Sequence, residues 1–305
     1  LYLFASLILV RKLFGNSIKF LPFLLLVLLN WTSIKFVTHA LSEMQYVFFS
    51  MASLYYFHKY AVSRRIGPLL ISFISGGLAF LTRSVGVALM AALLAGVAWQ
   101  YRAEIMRIIR GNKIIVAVAV LLVAVIIIFS EQFGLDHYTG VFKKQFAEGR
   151  SFSDLMQWHF LEWSEIVFNV SSAKVLPYVP GALGLPLLIV AGALFVVLFL
   201  ILLFRRADIP FIVKIYLVIY LLLMFSWPFY DPRFWVPVLP LLVAVVLKQD
   251  YSFKKLPAAK WGVYAFLAFY VVLGIVSLGY MTYTSFNKEV FSRTQASGSY
   301  RNEYE

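Results

Sequence analysis

The chain has 305 residues, of which 62% are hydrophobic and only 13% are charged, and its mean hydropathy is +0.85. Soluble domains are about half apolar and about a quarter charged, so this composition excludes an ordinary water-soluble fold and favours a membrane protein. The net charge of +13 comes without a basic stripe interleaved with aromatic residues, so nucleic acid is not an expected partner. Because the chain contains no cysteine, disulfides, thiolate chemistry and cysteine-based metal sites are excluded.

Long apolar runs recur along the chain, and a run of about 20 residues crosses a lipid core of about 30 Å as a helix. Read between charged residues, they predict about ten spans, at 1–10, 18–36, 43–59, 68–82, 84–100, 114–130, 183–204, 211–227, 234–247 and 261–282. The sequence therefore predicts an all-α fold, a polytopic integral membrane helical bundle. Since the run opening at Leu1 is too short to span, we expect the start of that helix to lie upstream.

The apolar pattern divides the chain into four segments: an N-terminal membrane bundle (1–130), a non-cytoplasmic loop (131–180), a C-terminal membrane bundle (181–282) and a polar tail (283–305). Within the loop, the stretch from Ser153 to Leu176 predicts an amphipathic helix. Its tryptophans suit a helix that lies in the membrane interface. A cap helix packed on the bundle is the alternative.

Most Lys and Arg residues of the short loops fall on one side of the predicted bundle, as at Arg64, Arg65, Arg205 and Arg206. Cytoplasmic loops carry such an excess, so this side is predicted to be cytoplasmic and the 131–180 loop lies opposite. The positive charge is therefore chiefly a topology signal, with attraction to anionic lipid headgroups as a second effect.

Two arginines and an acid stand out on the non-cytoplasmic side. Arg83 separates two short spans, and Arg233 lies in a segment with four prolines between Trp227 and Pro240. Glu43 opens a span, and His39 precedes it by one helical turn. A charge at the bilayer centre costs about 2.5–3.5 kcal/mol, so we expect these groups to converge and to bind an anionic ligand. The planar guanidinium suits phosphate.

Each residue also has a plainer interpretation. An acid such as Glu43 stabilises a helix N-terminus without any function. Arg83 could snorkel to headgroups, and Arg233 could pair with Asp231. His39 fits an ordinary interfacial histidine, since one His and one Glu make an incomplete metal site.

The loop offers a second pair of polar residues. His159 and Glu162 are spaced i and i+3, so they share one face of the predicted loop helix and could reach toward the arginines. A pair with this spacing is more often part of a solvated surface, which is the interpretation that the sequence favours.

Three runs resemble the GT-C glycosyltransferases, which include family 39, aminoarabinose transferase-like and protein O-mannosyltransferase-like proteins. They are Ser42-Glu43-Met44-Gln45-Tyr46-Val47-Phe48-Phe49, Gly76-Gly77-Leu78-Ala79-Phe80-Leu81-Thr82-Arg83 and Arg233-Phe234-Trp235-Val236-Pro237-Val238-Leu239-Pro240. The similarity is scattered over about residues 1–250 and is carried by short motifs.

The resemblance implies a GT-C-like bundle in a bacterial inner membrane, with its active face non-cytoplasmic. It would transfer a sugar from a polyprenyl-phosphate donor to a lipid, glycan or protein acceptor. Arg83 and Arg233 would bind the donor phosphate, with Glu43 and His39 on the acceptor side. The catalytic acid is unknown in this chain and is expected upstream of residue 1. Some relatives bind a divalent metal, for which His39, Glu43 and His159 are the candidates, and no metal ligand is assigned.

Two other functions remain open. An O-antigen polymerase or ligase also pairs many spans with a large outer loop, but Arg150 is the only arginine of this loop. A lipid-linked sugar flippase or transporter would have ionisable residues near the membrane midplane and often internal repeats. The polar residues of this chain gather at one surface instead, which favours chemistry there.

Overall fold

The protein is all-helical in a computed structural model that describes residues 1–15, 18–37, 42–111, 151–178, 181–248, 257–287 and 289. Thirteen α-helices occupy these ranges, and no β-strand occurs in them. The predicted all-α class is confirmed. The predicted span at 114–130, the first part of the loop and most of the polar tail lie outside the described residues.

The described helices before residue 112 are α1 (Tyr2–Phe14), α2 (Phe20–Leu28), α3 (Trp31–Val37), α4 (Glu43–Ser63), α5 (Ile66–Thr82), α6 (Gly86–Gln100) and α7 (Arg102–Gly111). Those after residue 150 are α8 (Phe152–Phe168), α9 (Ser172–Val175), α10 (Gly181–Arg205), α11 (Phe211–Phe225), α12 (Leu239–Leu247) and α13 (Pro257–Phe286). Two 3₁₀ helices, η1 (Leu176–Tyr178) and η2 (Pro232–Trp235), interrupt the second group.

Local chemistry explains where several predicted helices break. The predicted span 18–36 is two helices, α2 and α3, which are separated at Leu29 and Asn30. The predicted span 234–247 becomes α-helical only at Leu239, because the prolines before it remove backbone donors and disfavour α-helix at the preceding residues. The stretch between α11 and α12 is therefore η2 flanked by irregular backbone.

Two helical stretches, Leu183–Arg205 and Trp261–Thr284, are long and apolar enough to cross a membrane. Helices α5, α6 and α11 are apolar but shorter, with 17, 15 and 15 residues. Large apolar side chains on these outer faces are exposed, among them Leu81, Leu187, Leu194 and Val276. The described part of the chain thus presents an apolar outer surface.

One apolar core joins the two halves of the chain. Helix α4 packs against α1 and α5, α6 packs against α5 and α11, and α12 contacts α1, α2 and α10. The buried phenol groups of Tyr46 in α4 and Tyr216 in α11 lie 3.0 Å apart and share a hydrogen bond. This packing brings the start of α4 and the last residues of α5 and α11 to the same end of the bundle as η2.

The loop helix α8 packs on the side of the bundle. Its N-cap is Ser151, and Ser151 and Asp154 form a reciprocal capping box. The helix runs along α10 so closely that a Cβ on Gly192 would lie 1.7 Å from the Phe160 carbonyl oxygen. Residues Leu161–Ile166 are buried. The helix therefore packs on the bundle, as the alternative interpretation predicted.

Candidate functional site

Glu43 brings the two predicted arginines together. The guanidinium of Arg83 donates a hydrogen bond to Oε1 of Glu43, and Nε of Arg233 lies 3.8 Å from the same oxygen. Helix α4 begins at Glu43, α5 ends just before Arg83, and η2 carries Arg233. Three separate elements thus place two cations and one anion within contact distance, and the sequence singled out all three residues.

The ring of Phe234 contacts the guanidinium groups of both arginines. The Cζ atoms of Arg83 and Arg233 are 5.5 Å and 5.2 Å from its centroid, which is within the range of cation–π attraction. An aromatic face holds a guanidinium without occupying its N–H donors. Phe234 therefore stabilises the two like charges side by side while donor groups stay available.

Asp231 pairs with Arg233 as well. The Arg233 backbone N–H donates to Oδ1 over 2.9 Å, and Nε of Arg233 lies 2.8 Å from Oδ2. Burial raises the pKa of the Asp231 carboxyl, although the charge of Arg233 opposes the shift. The ion pair that sequence reasoning treated as the plainer interpretation is thus present together with the Glu43 contact.

The side chains of the two arginines are more exposed to solvent than that of Glu43. The side chains of Arg83 and Arg233 are 14% and 25% exposed, whereas that of Glu43 is 3% exposed. Arg83 is therefore mostly buried and held by Glu43, which differs from free snorkelling to headgroups. Within the described residues, Oε2 of Glu43 is buried without a hydrogen-bond partner. The arrangement can donate to an anion from partly exposed guanidiniums and can accept one more hydrogen bond.

His159 and Glu162 are buried beneath η2 rather than solvated. Nδ1 of His159 lies 2.8 Å from Oε2 of Glu162, and Nε2 donates to the Trp227 carbonyl oxygen over 2.8 Å. The solvated-surface interpretation is wrong, because α8 turns this face toward α11 and η2 instead of toward water. The pair contacts the segment that carries Arg233, and not the guanidiniums themselves.

A further buried acid, Glu165, follows on the same face of α8. Its Oε1 accepts hydrogen bonds from the Ser172 N–H at 2.6 Å and the Tyr230 hydroxyl at 2.7 Å. Burial raises the pKa of Glu165, and these hydrogen bonds only partly offset the shift. Burial, followed by the charge of Glu165, also raises the pKa of Tyr230.

The described residues do not provide a metal site, since no three His, Asp or Glu side chains among them are grouped around a common point. Glu43 is engaged by arginines and His159 by Glu162. The predicted candidate His39 lies outside the described residues.

No family model matches the chain, and no curated protein and no solved structure matches it either.

Sequence reasoning missed four residues that complete the site: Phe234, Trp235, Tyr230 and Glu165. One signal was present, because His159, Glu162 and Glu165 are three residues apart in succession and share a helical face. A face that carries three polar groups among tryptophans indicates either a solvated face or a buried network. Only the packing of α8 distinguishes between the two.

Proposed function

We propose that the chain belongs to a polytopic membrane glycosyltransferase that moves a sugar from a polyprenyl-phosphate donor to an acceptor on the non-cytoplasmic face. Its partners would be the lipid-linked donor, a lipid, glycan or protein acceptor, and the bilayer, in a bacterial inner membrane. The GT-C resemblance suggests this reaction, and the arrangement of Arg83, Arg233 and Glu43 supports it.

The observation that carries the proposal is the contact of two guanidiniums with one carboxylate oxygen, at the ends of short apolar helices. When a sugar leaves a lipid phosphate, negative charge grows on that phosphate. Cations fixed in advance stabilise this charge more in the transition state than in the ground state. Oε2 of Glu43, which has no hydrogen-bond partner among the described residues, would accept a hydrogen bond from the acceptor hydroxyl.

The proposal includes more membrane spans than the two long apolar helices. Helices α5, α6, α11 and α12 are too short to cross a core of about 30 Å alone. Since η2 follows the end of α11, and α8 contacts both α11 and η2, these elements would fill the remaining depth at that end of α11 with protein. Irregular backbone is tolerated there only where protein or a wet cavity surrounds it.

Replacing Arg83 with Ala tests the phosphate site. We expect kcat/KM for sugar transfer from a polyprenyl-phosphate donor to fall by about 100-fold or more, the loss typical of removing one charge-stabilising donor. Radiolabelled sugar transfer by the purified intact protein in lipid nanodiscs measures the effect. Arg65→Ala, an exposed arginine on the opposite predicted face, is the matched control and should leave transfer unchanged.

Loss of stability has to be separated from loss of chemistry, because removing one partner of a buried ion pair costs about 3–5 kcal/mol. The double variant Arg83→Gln with Glu43→Gln removes both charges together. It should recover thermal stability relative to Arg83→Ala and still fail to transfer sugar. Normal transfer by the double variant contradicts the proposal.

Replacing Arg233 with Lys tests whether a forked contact matters, since lysine keeps the charge but loses the planar donor pair. We expect kcat/KM to fall by about tenfold, the effect of one charge-assisted hydrogen bond. An unaffected rate would favour a purely structural pairing with Asp231. Movement of lipid-linked sugar across the membrane without transfer would instead support a flippase.

A further inference from the structure

The segment from Trp227 to Trp235 obtains backbone hydrogen bonds from side chains of neighbouring helices. The Asp231 N–H donates to Oε1 of Glu162 over 2.6 Å, and the Trp227 carbonyl accepts from His159 over 2.8 Å. On the α11 side, the Tyr220 hydroxyl donates to the Phe234 carbonyl. Such partners are needed because a buried backbone group without a hydrogen bond costs about 1–3 kcal/mol.

Glu162 is the centre of these contacts. Besides the Asp231 N–H, it accepts a hydrogen bond from the indole Nε1 of Trp235 over 2.6 Å, through the oxygen that also faces His159. The side chains of His159 and Glu162 are 2% and 1% exposed. The carboxylate therefore holds two points of the segment, one on each side of Arg233.

The hydrogen-bond partners of His159 and Glu162 determine how many protons the pair holds. The Trp227 carbonyl can only accept, so Nε2 of His159 carries a proton. The Nδ1 contact then requires one more proton between the ring and the carboxylate. That proton joins Nδ1 of His159 to Oε2 of Glu162 in a hydrogen bond between two buried side chains. The pair adds no net charge to the site.

A short chain of contacts leads from this pair to Arg233. Glu162 holds the Asp231 N–H, and the Asp231 carboxylate contacts both the backbone N–H and the Nε of Arg233. The direction of the Arg233 side chain thus depends on a series of contacts that begins at Glu162 and passes through Asp231.

We propose that His159 and Glu162 form a clamp, defined as these two residues, that positions Arg233 for binding a lipid phosphate. They act through Asp231 and Trp235, so they are positioning residues and not catalytic ones. The ligand-binding part of this inference rests on the proposed function. The structural part, in which side chains of α8 hold η2 in place, does not depend on the proposed function.

A labelling experiment tests the structural part without any ligand. The chain has no cysteine, so Val236→Cys, at a buried position just after η2, is a single reporter. In the intact protein in nanodiscs, Glu162→Gln should raise its rate of reaction with N-ethylmaleimide by about tenfold, since loss of a hydrogen bond to a charged group favours local opening. An unchanged rate in Glu162→Gln overturns the clamp.

Glu104→Gln is the matched control, because it makes the same chemical change on the exposed helix α7. It should leave the labelling rate of Val236→Cys at the level of the unaltered background. If it raised the rate as much as Glu162→Gln, general destabilisation would explain the result and the clamp would be overturned.

A double-mutant cycle tests the ligand-binding part, with a polyprenyl monophosphate as the probe. Glu162→Gln should weaken binding by about tenfold in the otherwise unaltered protein and have little further effect in an Arg233→Ala background. Equal weakening in both backgrounds contradicts positioning through Arg233. If the unaltered protein does not bind the probe, the proposed function fails and the ligand-binding part fails with it, while labelling still decides whether the clamp exists.

Discussion

Buried acids distinguish this chain at the scale of single residues. Glu43, Glu162 and Glu165 are all nearly inaccessible, yet their surroundings differ. Arginines contact Glu43, and a histidine, an indole and a backbone N–H contact Glu162. Glu165 has neutral donors on one oxygen and, among the described residues, no partner on the other. Burying a charge is unfavourable unless it is paired, and burial accordingly raises the pKa of Glu165.

Protonation of Glu165 should make stability depend on pH. Burial raises the folded-state pKa above its ordinary value of 4.5, so the folded state binds the proton more tightly than the unfolded state does. Its contribution is fully present below pH 4.5 and is lost as pH rises through the folded-state pKa. Thermal unfolding of the protein in nanodiscs at several pH values should show a fall in Tm over this window.

Glu165→Gln should flatten that part of the pH profile, because an amide does not titrate. Asp154→Asn is a suitable comparison on the same helix. Hydrogen bonds from Ser151 lower the pKa of Asp154, whereas burial raises that of Glu165. A profile that keeps its slope in Glu165→Gln would assign the pH dependence to another group.

Close helix contacts decide the arrangement at the scale of elements. Helix α8 lies against α10 at Gly192, and α13 lies against the α2–α3 break at Gly274, where a Cβ would meet the Leu29 carbonyl at 2.2 Å. The buried side chains of Asn30 and Asn169 bond α8 and α13 to this break through Ile166, Tyr270 and Leu29. The loop helix is thus fixed at both its middle and its end.

Gly192→Ala should displace α8, because the added methyl group would overlap the backbone oxygen of Phe160. We expect a loss of about 1–3 kcal/mol of stability, the usual cost of overpacking, and a lower Tm by intrinsic fluorescence. Gly77→Ala is the matched control, since nothing lies within 4 Å of its new Cβ. Equal Tm values for the two variants would contradict the close contact.

Exposed apolar surface and segregated charge characterise the whole molecule. Large apolar side chains cover the outsides of α5, α10 and α13, and the site residues gather at the end opposite to Arg64 and Arg65. Water disfavours such a surface, whereas lipid does not. We propose that the chain inserts in a bilayer with Arg64 and Arg65 on the cytoplasmic side, because this arrangement satisfies both features.

Cysteine labelling tests this orientation, because the natural chain has no cysteine to react. In intact cells, a membrane-impermeant maleimide should label Phe229→Cys, which is exposed near the site, and should not label Ser63→Cys until the membrane is opened. The reverse pattern would invert the orientation. Equal labelling of both variants in intact cells would contradict a membrane-spanning arrangement.

The sequence alone was sufficient for the helical class, for most helix positions and for three residues of the candidate site. Apolar runs bounded by charges reveal helices, and lone charges at helix ends reveal groups that need partners, since both depend on residues that are close along the chain. Glu43, Arg83 and Arg233 were found in this way.

Only the tertiary structure decided which partners these groups have. The contacts of Phe234 with both arginines, and those of Glu162 with Asp231 and Trp235, join residues whose proximity depends on how α8, η2 and the short helices pack. Helical periodicity gives the face on which a side chain lies, but not what covers that face. For this reason His159 and Glu162 looked solvated in the sequence and are buried in the fold.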